Sequence, residues 1–457
     1  MLQAVNTALW GPGTLALLLG TGVLLTVRMH ALPWRRLGFA LRAALGRESR
    51  RSNGSGVSPF SALMTSLAAT LGTGNIVGVA TALVAGGPGA LVWMELSALF
   101  GMATIFAEST LSVKYRRRDS RGQWMGGPMY LMEAAFGPRQ GRRLGALFAL
   151  FAVGASLGIG SMTQANAITQ ALTGTFGLPA GPVGLAAAGL ALAAILGGIR
   201  SISKITSVLV PVMGVFYLGA GLAVILGNLS QLPAGLAAIF RSAFCPDAAA
   251  GGLAGMWAAA RWGVARGVFS NEAGLGSAGI AAACAGTDDP VRQGCISMTS
   301  AFFDTVVICT VTGLAICCSG VLGTVDSTGA PVNGGALTLL AFRTVLGDLG
   351  GQCIAVSIAL FAFSTILGWA YQGETAFAYL THGQGRLAYR LAYVLAALWG
   401  AGARLESVYL FSDVCNALMA MPNLLCLMVL SGDAVRAAHQ IPGGHSRRSR
   451  NPLSVSR

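Results

Sequence analysis

The chain has 457 residues, of which 10% are charged and 54% hydrophobic, with 64 glycines and a formal net charge of +14. An average soluble domain carries about 25% charged residues, so this composition cannot cover the surface of a soluble protein and excludes a disordered chain, a nucleic-acid binder and a disulfide scaffold. The nine cysteines lie mostly inside apolar segments without metal-ligand spacing, which makes them small core residues, and the four histidines (His30, His382, His439, His445) fall outside those segments.

The apolar segments have the length of membrane-spanning helices, about 20 residues, and an outer-membrane barrel would alternate over shorter stretches. In chain order the pattern predicts eleven spans, near 8–28, 58–82, 88–114, 145–173, 181–198, 204–227, 257–284, 292–321, 350–379, 387–403 and 406–431. The first is no signal peptide, because its first basic residue, Arg28, lies at its far end. With loops on alternating sides, 25 of the 30 Lys and Arg fall on one face. Only Arg241, Arg343 and Arg404 fall on the other. The positive-inside rule then puts the N-terminus outside and the C-terminus in the cytoplasm. Two long outer loops hold weakly apolar stretches, 232–240 and 337–346, expected as short helices lying across the outer face. The basic tail after Asp433 is expected to be disordered.

Two spans carry polar residues and paired glycines at mid-membrane depth. The second contains Leu71-Gly-Thr-Gly-Asn75 and the seventh Ser270-Asn-Glu-Ala-Gly-Leu-Gly276. Glycine weakens a helix there, and unwound backbone is tolerated in lipid only where it lines a cavity. Each break opens a block of five spans. Five is odd, so the second block enters the membrane inverted, the plan of secondary transporters with a site at the broken helices. The expected organisation is an extra helix and basic loop (1–57), a first repeat (58–227), an outer loop (228–256), a second repeat (257–432) and a cytoplasmic tail (433–457).

The motifs resemble the alanine or glycine:cation symporter family of bacteria and archaea. They include Ser58-Pro-Phe-Ser-Ala-Leu63, Leu67-Ala-Ala-Thr-Leu-Gly-Thr-Gly-Asn-Ile-Val-Gly-Val-Ala80, Gly126-Gly-Pro-Met-Tyr130, Arg266-Gly-Val-Phe-Ser-Asn-Glu-Ala-Gly-Leu-Gly-Ser277, Phe363-Ser-Thr-Ile-Leu-Gly-Trp369 and Asn416-Ala-Leu-Met-Ala-Met-Pro-Asn423. The likeness covers roughly 55–430. It implies an all-α polytopic membrane protein, a leucine-transporter-type 5+5 inverted repeat plus one N-terminal helix, in a bacterial inner membrane. It also implies sodium-coupled uptake of small neutral amino acids such as alanine and glycine, with no enzymatic activity. Ser161 and Gln372 depart from the family's usual Asn and Tyr.

A zwitterion needs donors for its carboxylate and acceptors for its ammonium, which broken half-helices supply. The N–H groups of Thr73, Gly74 and Asn75 are therefore assigned to the carboxylate. Carbonyls around Ser270, Asn271 and Ala273, with Gln164, are assigned to the ammonium. Trp369 is expected as the pocket wall, crowding the centre with Met162 and Gln164. Sodium is expected at the carbonyls of Ala68 and Leu71 with the hydroxyls of Ser364 and Thr365, an assignment that leans on the resemblance. A second cation site would draw on Asn75, Ser270 or Asn271 and Asp304.

Intramembrane carboxylates are functional candidates by default. Glu108 and Glu374 lie near cytoplasmic helix ends and are expected to serve a gate or pair with basic loops rather than bind ligand, and Asp413 is expected to be structural. Glu272 would either pair with Arg266 or serve cation coupling. Proton coupling on the same fold, and a sensor that binds without transporting, remain open at this stage, as does the oligomeric state.

Overall fold

In a computed structural model of the chain, the structure describes residues 2–52, 56–119, 121–245 and 252–440. Helices α1 (Leu2–Leu9) and α2 (Pro12–Arg28) precede two short helices, α3 (Leu32–Arg35) and α4 (Leu37–Leu45). The first broken rod is α5 (Pro59–Thr70) and α6 (Val77–Gly86), bent by 60°. It starts where Ser58 accepts the Ser61 N–H, with Pro59 in the first turn, a strong helix-start signal. Helix α7 (Ala90–Lys114) leads to a small antiparallel hairpin, β1 (Arg117–Arg118) and β2 (Trp124–Met125).

Helix α8 (Pro128–Ala155) is interrupted at Gly137, φ +77, just before Pro138. A π-helical turn, 156–162, joins it to α9 (Thr163–Phe176), followed by α10 (Ala180–Leu196), α11 (Gly198–Gly227) and α12 (Leu232–Phe244). The second broken rod is α13 (Gly252–Asn271) and α14 (Ser277–Ala283). Helix α15 (Pro290–Ala301) runs through a second π-helical segment, 302–309, into α16 (Thr310–Cys318). Then come α17 (Gly334–Leu346), α18 (Asp348–Leu380), α19 (Arg386–Gly402), α20 (Glu406–Val429) and α21 (Ser431–His439).

Helices lie over each of the eleven apolar segments. Seven helical stretches among the described residues are long and apolar enough to cross a membrane, eight when the α5–α6 pair is counted as one span. Leu190, Val215, Leu226 and Leu395 are exposed on α10, α11 and α19, an apolar exterior suited to lipid. Two interior clusters fill the bundle. One gathers α2, α7, α8, α9 and α18–α20, the other α5, α6, α11, α16 and α17.

Two expectations change. The fourth helical stretch begins at Pro138 rather than near 145: positions 128–136 form a separate short helix, and the chain breaks at Gly137, φ +77 and ψ 176, before the longer helix starts. The tail is helical over Ser431–His439, docked through Asp433 on Lys114 and Tyr115; positions 441–457 lie outside the described residues. The expected short helices in the two long loops are α12 and α17.

Candidate binding site at the two helix breaks

The first break is a single 3₁₀ turn, Thr73–Asn75. Its first N–H groups have no helical acceptor, and those of Thr73 and Gly74 take no backbone partner. In the second break Glu272 stands at φ +54 and Gly274 and Gly276 at φ +94 and +87. Glycine adopts this left-handed geometry freely. Glu272 does so at a cost of order 1–3 kcal/mol, and its side chain is held at both oxygens. Ser277 Oγ donates to Oε2 at 2.5 Å and Trp369 Nε1 to Oε1 at 3.0 Å.

Between the breaks is a cavity of ≈ 30 Å³, room for about two or three waters. Thr73, Gly74, Gln164, Glu272, Trp369 and Asn416 line it, together with Phe269 and Thr365. Gln164 donates through Nε2 to the Ile159 carbonyl at 3.0 Å, while its Oε1 and the Asn416 Oδ1 are buried without partners. Free N–H donors at one break and free acceptors opposite make a chamber suited to a small zwitterion. Phe269 and Gly74 also line a vestibule of ≈ 620 Å³, shared with Arg266, Tyr409 and Asp413, so Phe269 stands between vestibule and chamber.

Of the residues expected at the substrate, Thr73, Gly74, Gln164 and Trp369 meet here. Asn75, Ser270, Asn271 and Ala273 do not line the cavity. Asn75 is fully buried and spends its amide on structure: Oδ1 accepts the Gly72 N–H, and Nδ2 donates to Asp304 Oδ1 at 2.8 Å and Ser270 Oγ at 3.1 Å. Ser270 and Thr305 each donate to Asp304 Oδ2 at 2.8 Å. Asn271 bonds Thr305 and the Ala273 N–H. With no water in the bilayer core, these polar groups satisfy one another behind the chamber. The proposed second cation site is thus a closed hydrogen-bond network in this conformation. Met162 packs on Gly400 of α19 rather than into the centre. Ser161 donates to the Tyr393 carbonyl, and neither Ser161 nor Gln372 lines the chamber.

The first cation set does converge. Ser364 Oγ lies 3.3 Å from the carbonyl oxygens of both Ala68 and Leu71 and 2.8 Å from that of Phe361. Thr365 Oγ1 lies 3.4 Å from the Leu71 oxygen and 3.0 Å from that of Phe361. Two hydroxyl protons face three carbonyl oxygens, and all five oxygens can turn a lone pair to a cation. Oxygens ligating a calcium-sized cation at about 2.3–2.6 Å and at right angles stand about 3.3–3.7 Å apart, and sodium is of similar size. Close backbone approach makes the set possible: a Cβ on Gly368 would come within 2.7 Å of Ala69 Cα, and one on Gly72 within 2.7 Å of Thr365 Oγ1.

Glu272 does not pair with Arg266, whose guanidinium instead faces the Trp262 and Phe269 rings, 5.6 and 5.7 Å from their centroids. Glu374 is paired as expected, Arg390 donating twice at 2.7 Å. Glu108 is not held by a basic loop. It is buried and accepts from Asn423 Nδ2 at 2.7 Å, the same amide that holds the Gly274 carbonyl at 2.9 Å. The sequence reading did not assign Asn416 and Phe269 to the site. Asn416 carried a signal, being an uncharged amide in the middle of the last span.

The model of the sodium:alanine symporter family matches residues 1–449. The sodium/alanine symporter AgcS of Methanococcus maripaludis is 46% identical over 439 residues, 95% of this chain and 95% of its own. The probable sodium/glutamine symporter GlnT of Bacillus subtilis is 38% identical, over 93% and 87% respectively. The crystal structure of MhsT in complex with L-phenylalanine shares the fold at a TM-score of 0.54 and 15% identity, covering 85% of this chain and 99% of that one.

Proposed function

Since the chain belongs to the sodium:alanine symporter family, we propose that it imports alanine and glycine together with sodium by alternating access. The topology that goes with this reading is eleven spans in a 5+5 inverted repeat after one extra helix. The N-terminus lies outside a bacterial inner membrane and the C-terminus in the cytoplasm.

The observation that carries it is the pair of oxygen set and chamber on either side of one break. Ala68 and Leu71 end α5, and Thr73 and Gly74 follow within a few residues. Sodium held by the Ala68, Leu71 and Phe361 carbonyls with Ser364 and Thr365 ties α5 to α18. That fixes the N–H groups of Thr73 and Gly74 for the substrate carboxylate. The ammonium faces Gln164 Oε1, Asn416 Oδ1 and Glu272. Ordering one segment by the ion lowers the cost of ordering it for the amino acid, which is coupling between the two sites. The chamber of ≈ 30 Å³ must open to admit even glycine, and the Trp369 wall then disfavours side chains beyond about a methyl or hydroxymethyl group.

The test is uptake of labelled alanine into proteoliposomes with and without an inward sodium gradient. Equal uptake in both refutes sodium coupling. A second reading, proton coupling, draws on Glu272, a buried carboxylate bonded to Ser277 and Trp369 but to no basic side chain among the described residues. Uptake in sodium-free buffer with acidification of the lumen would select it.

A further inference from the structure

A second cavity, of ≈ 460 Å³, lies among the β1–β2 hairpin, the α10–α11 corner and the facing parts of α18 and α19. Its size is that of a small-molecule site, and its charge is one-sided. Arg121, Arg200, Arg386 and Arg390 line it against the single carboxylate of Glu374. Arg390 takes up Glu374 and Arg386 takes up Asp119 at 2.7 Å. Arg121 and Arg200 have no ion pair among the described residues.

Two further features beside the cavity favour an anion. The Arg386 side chain is only 10% exposed. Its terminal nitrogens donate to Asp119 and Gln123, yet its Nε is buried without a partner among the described residues. A buried guanidinium N–H lacking an acceptor costs free energy, which a small shift of the Arg386 side chain towards an oxygen in the adjoining cavity would recover. Beside it the first turn of α11, Gly198 to Arg200, also lines the cavity. This helix has 30 residues, and its first N–H groups have no intrahelical acceptor and sit at the positive end of its dipole. Gly198, at φ +64, turns the chain so that Arg390 Nη1 reaches the Leu196 carbonyl at 2.9 Å.

We propose that this cavity binds a phosphate-bearing anion, a phospholipid headgroup or a free phosphate compound, between Arg200, Arg386 and the N-terminus of α11. The bound anion also braces the two broken rods. Gly56, Val57 and Cys284 line the same cavity, and there Val57 N–H donates to the Cys284 carbonyl at 3.1 Å and Gly286 N–H to the Val57 carbonyl at 2.7 Å.

The binding claim does not depend on what the central chamber transports. Full-length protein in phosphatidylcholine nanodiscs is titrated with inorganic pyrophosphate by calorimetry. In parallel, nanodiscs of mixed phosphatidylcholine and phosphatidylglycerol are used to measure lipid retention by native mass spectrometry. Pyrophosphate binding that weakens about tenfold in Arg200→Ala, the loss of one charge-assisted hydrogen bond, supports a free phosphate compound. Retained phosphatidylglycerol that is lost in the same variant supports a headgroup. Arg386→Gln should act in the same direction; Arg200 is exposed and unpaired, so its variant retains the fold and carries the test alone. Absence of both, or binding equal in wild type and Arg200→Ala, overturns the proposal. Hydrogen exchange at 56–57 and 284–286 should slow when the anion binds, and unchanged exchange in a protein that binds overturns the bracing. Loss of sodium-driven alanine uptake would refute the transport reading and leave these results standing.

Discussion

Trp369 Nε1 donates to Glu272 Oε1 at 3.0 Å, tying helix α18 to the unwound segment between α13 and α14. One side chain thereby sets the chamber's wall and holds the strained backbone of the second break, where Glu272 stands at φ +54. Gly160 opposite is bare so that Trp369 can pack on it.

Trp369→Ala should therefore widen the chamber and admit valine and leucine as competitors of alanine uptake. An excess methylene in a tight apolar pocket is worth only about 1–3 kcal/mol, so exclusion in the unmutated protein should be graded, with alanine and glycine best, serine weaker and leucine excluded. The variant should also lose about 3–5 kcal/mol of stability from the cavity it leaves. Competition assays with serine, leucine and glutamine decide the matter. Strong inhibition by leucine of the unmutated protein, or unchanged selectivity in a folded variant, would show that Trp369 is not the limiting wall.

Ser364→Ala combined with Thr365→Ala should raise the sodium concentration for half-maximal uptake by about a hundredfold or more, since two of five converging oxygens are removed and each interaction with a charge is worth about 1.5–3 kcal/mol. Affinity for alanine at saturating sodium should change much less. A change confined to alanine affinity would move the cation elsewhere.

Asn75→Ala removes the amide that joins Asp304, Ser270 and the Gly72 N–H. The loss leaves a buried carboxylate short of one donor, at a cost of about 1–3 kcal/mol. Its effect should appear as a lowered Tm and reduced maximal uptake with little change in substrate specificity, because Asn75 does not line the chamber. A shift in specificity without a stability change would return Asn75 to the pocket.

Asp433, beyond the last span, accepts from the Tyr115 hydroxyl and Lys114, and these hydrogen bonds pull its carboxyl from 3.8 down to about 2. A carboxylate with a lowered folded-state value stabilises the folded state while it is ionised. The docking of α21 on α7 should thus be complete above about pH 4 and be lost as pH falls through about 2. Asp433→Asn should mimic the acid state at neutral pH. Hydrogen exchange over 431–439 measures it, and protection unchanged in Asp433→Asn would refute the role.

Composition and apolar period alone determined that this is a helical membrane protein, and paired glycines marked both breaks, since a polar, flexible run inside an apolar span has few other physical outcomes. The cation set at Ala68, Leu71, Ser364 and Thr365 was legible only with the family resemblance; spacing along the chain gives no distance across some 290 residues, and the contact depends on Gly368 letting α18 meet α5. Tertiary structure decided the rest. A buried polar side chain takes whichever partner packing brings to it, because no water competes. Packing turned Asn75, Ser270 and Asn271 towards Asp304 and Thr305, gave Glu272 to Trp369 rather than to Arg266, and gave Glu108 to Asn423. The two π-helical segments, 156–162 and 302–309, are rich in glycine and in β-branched residues respectively, which weakens a helix but does not specify a π-turn; the neighbours they pack against decide that.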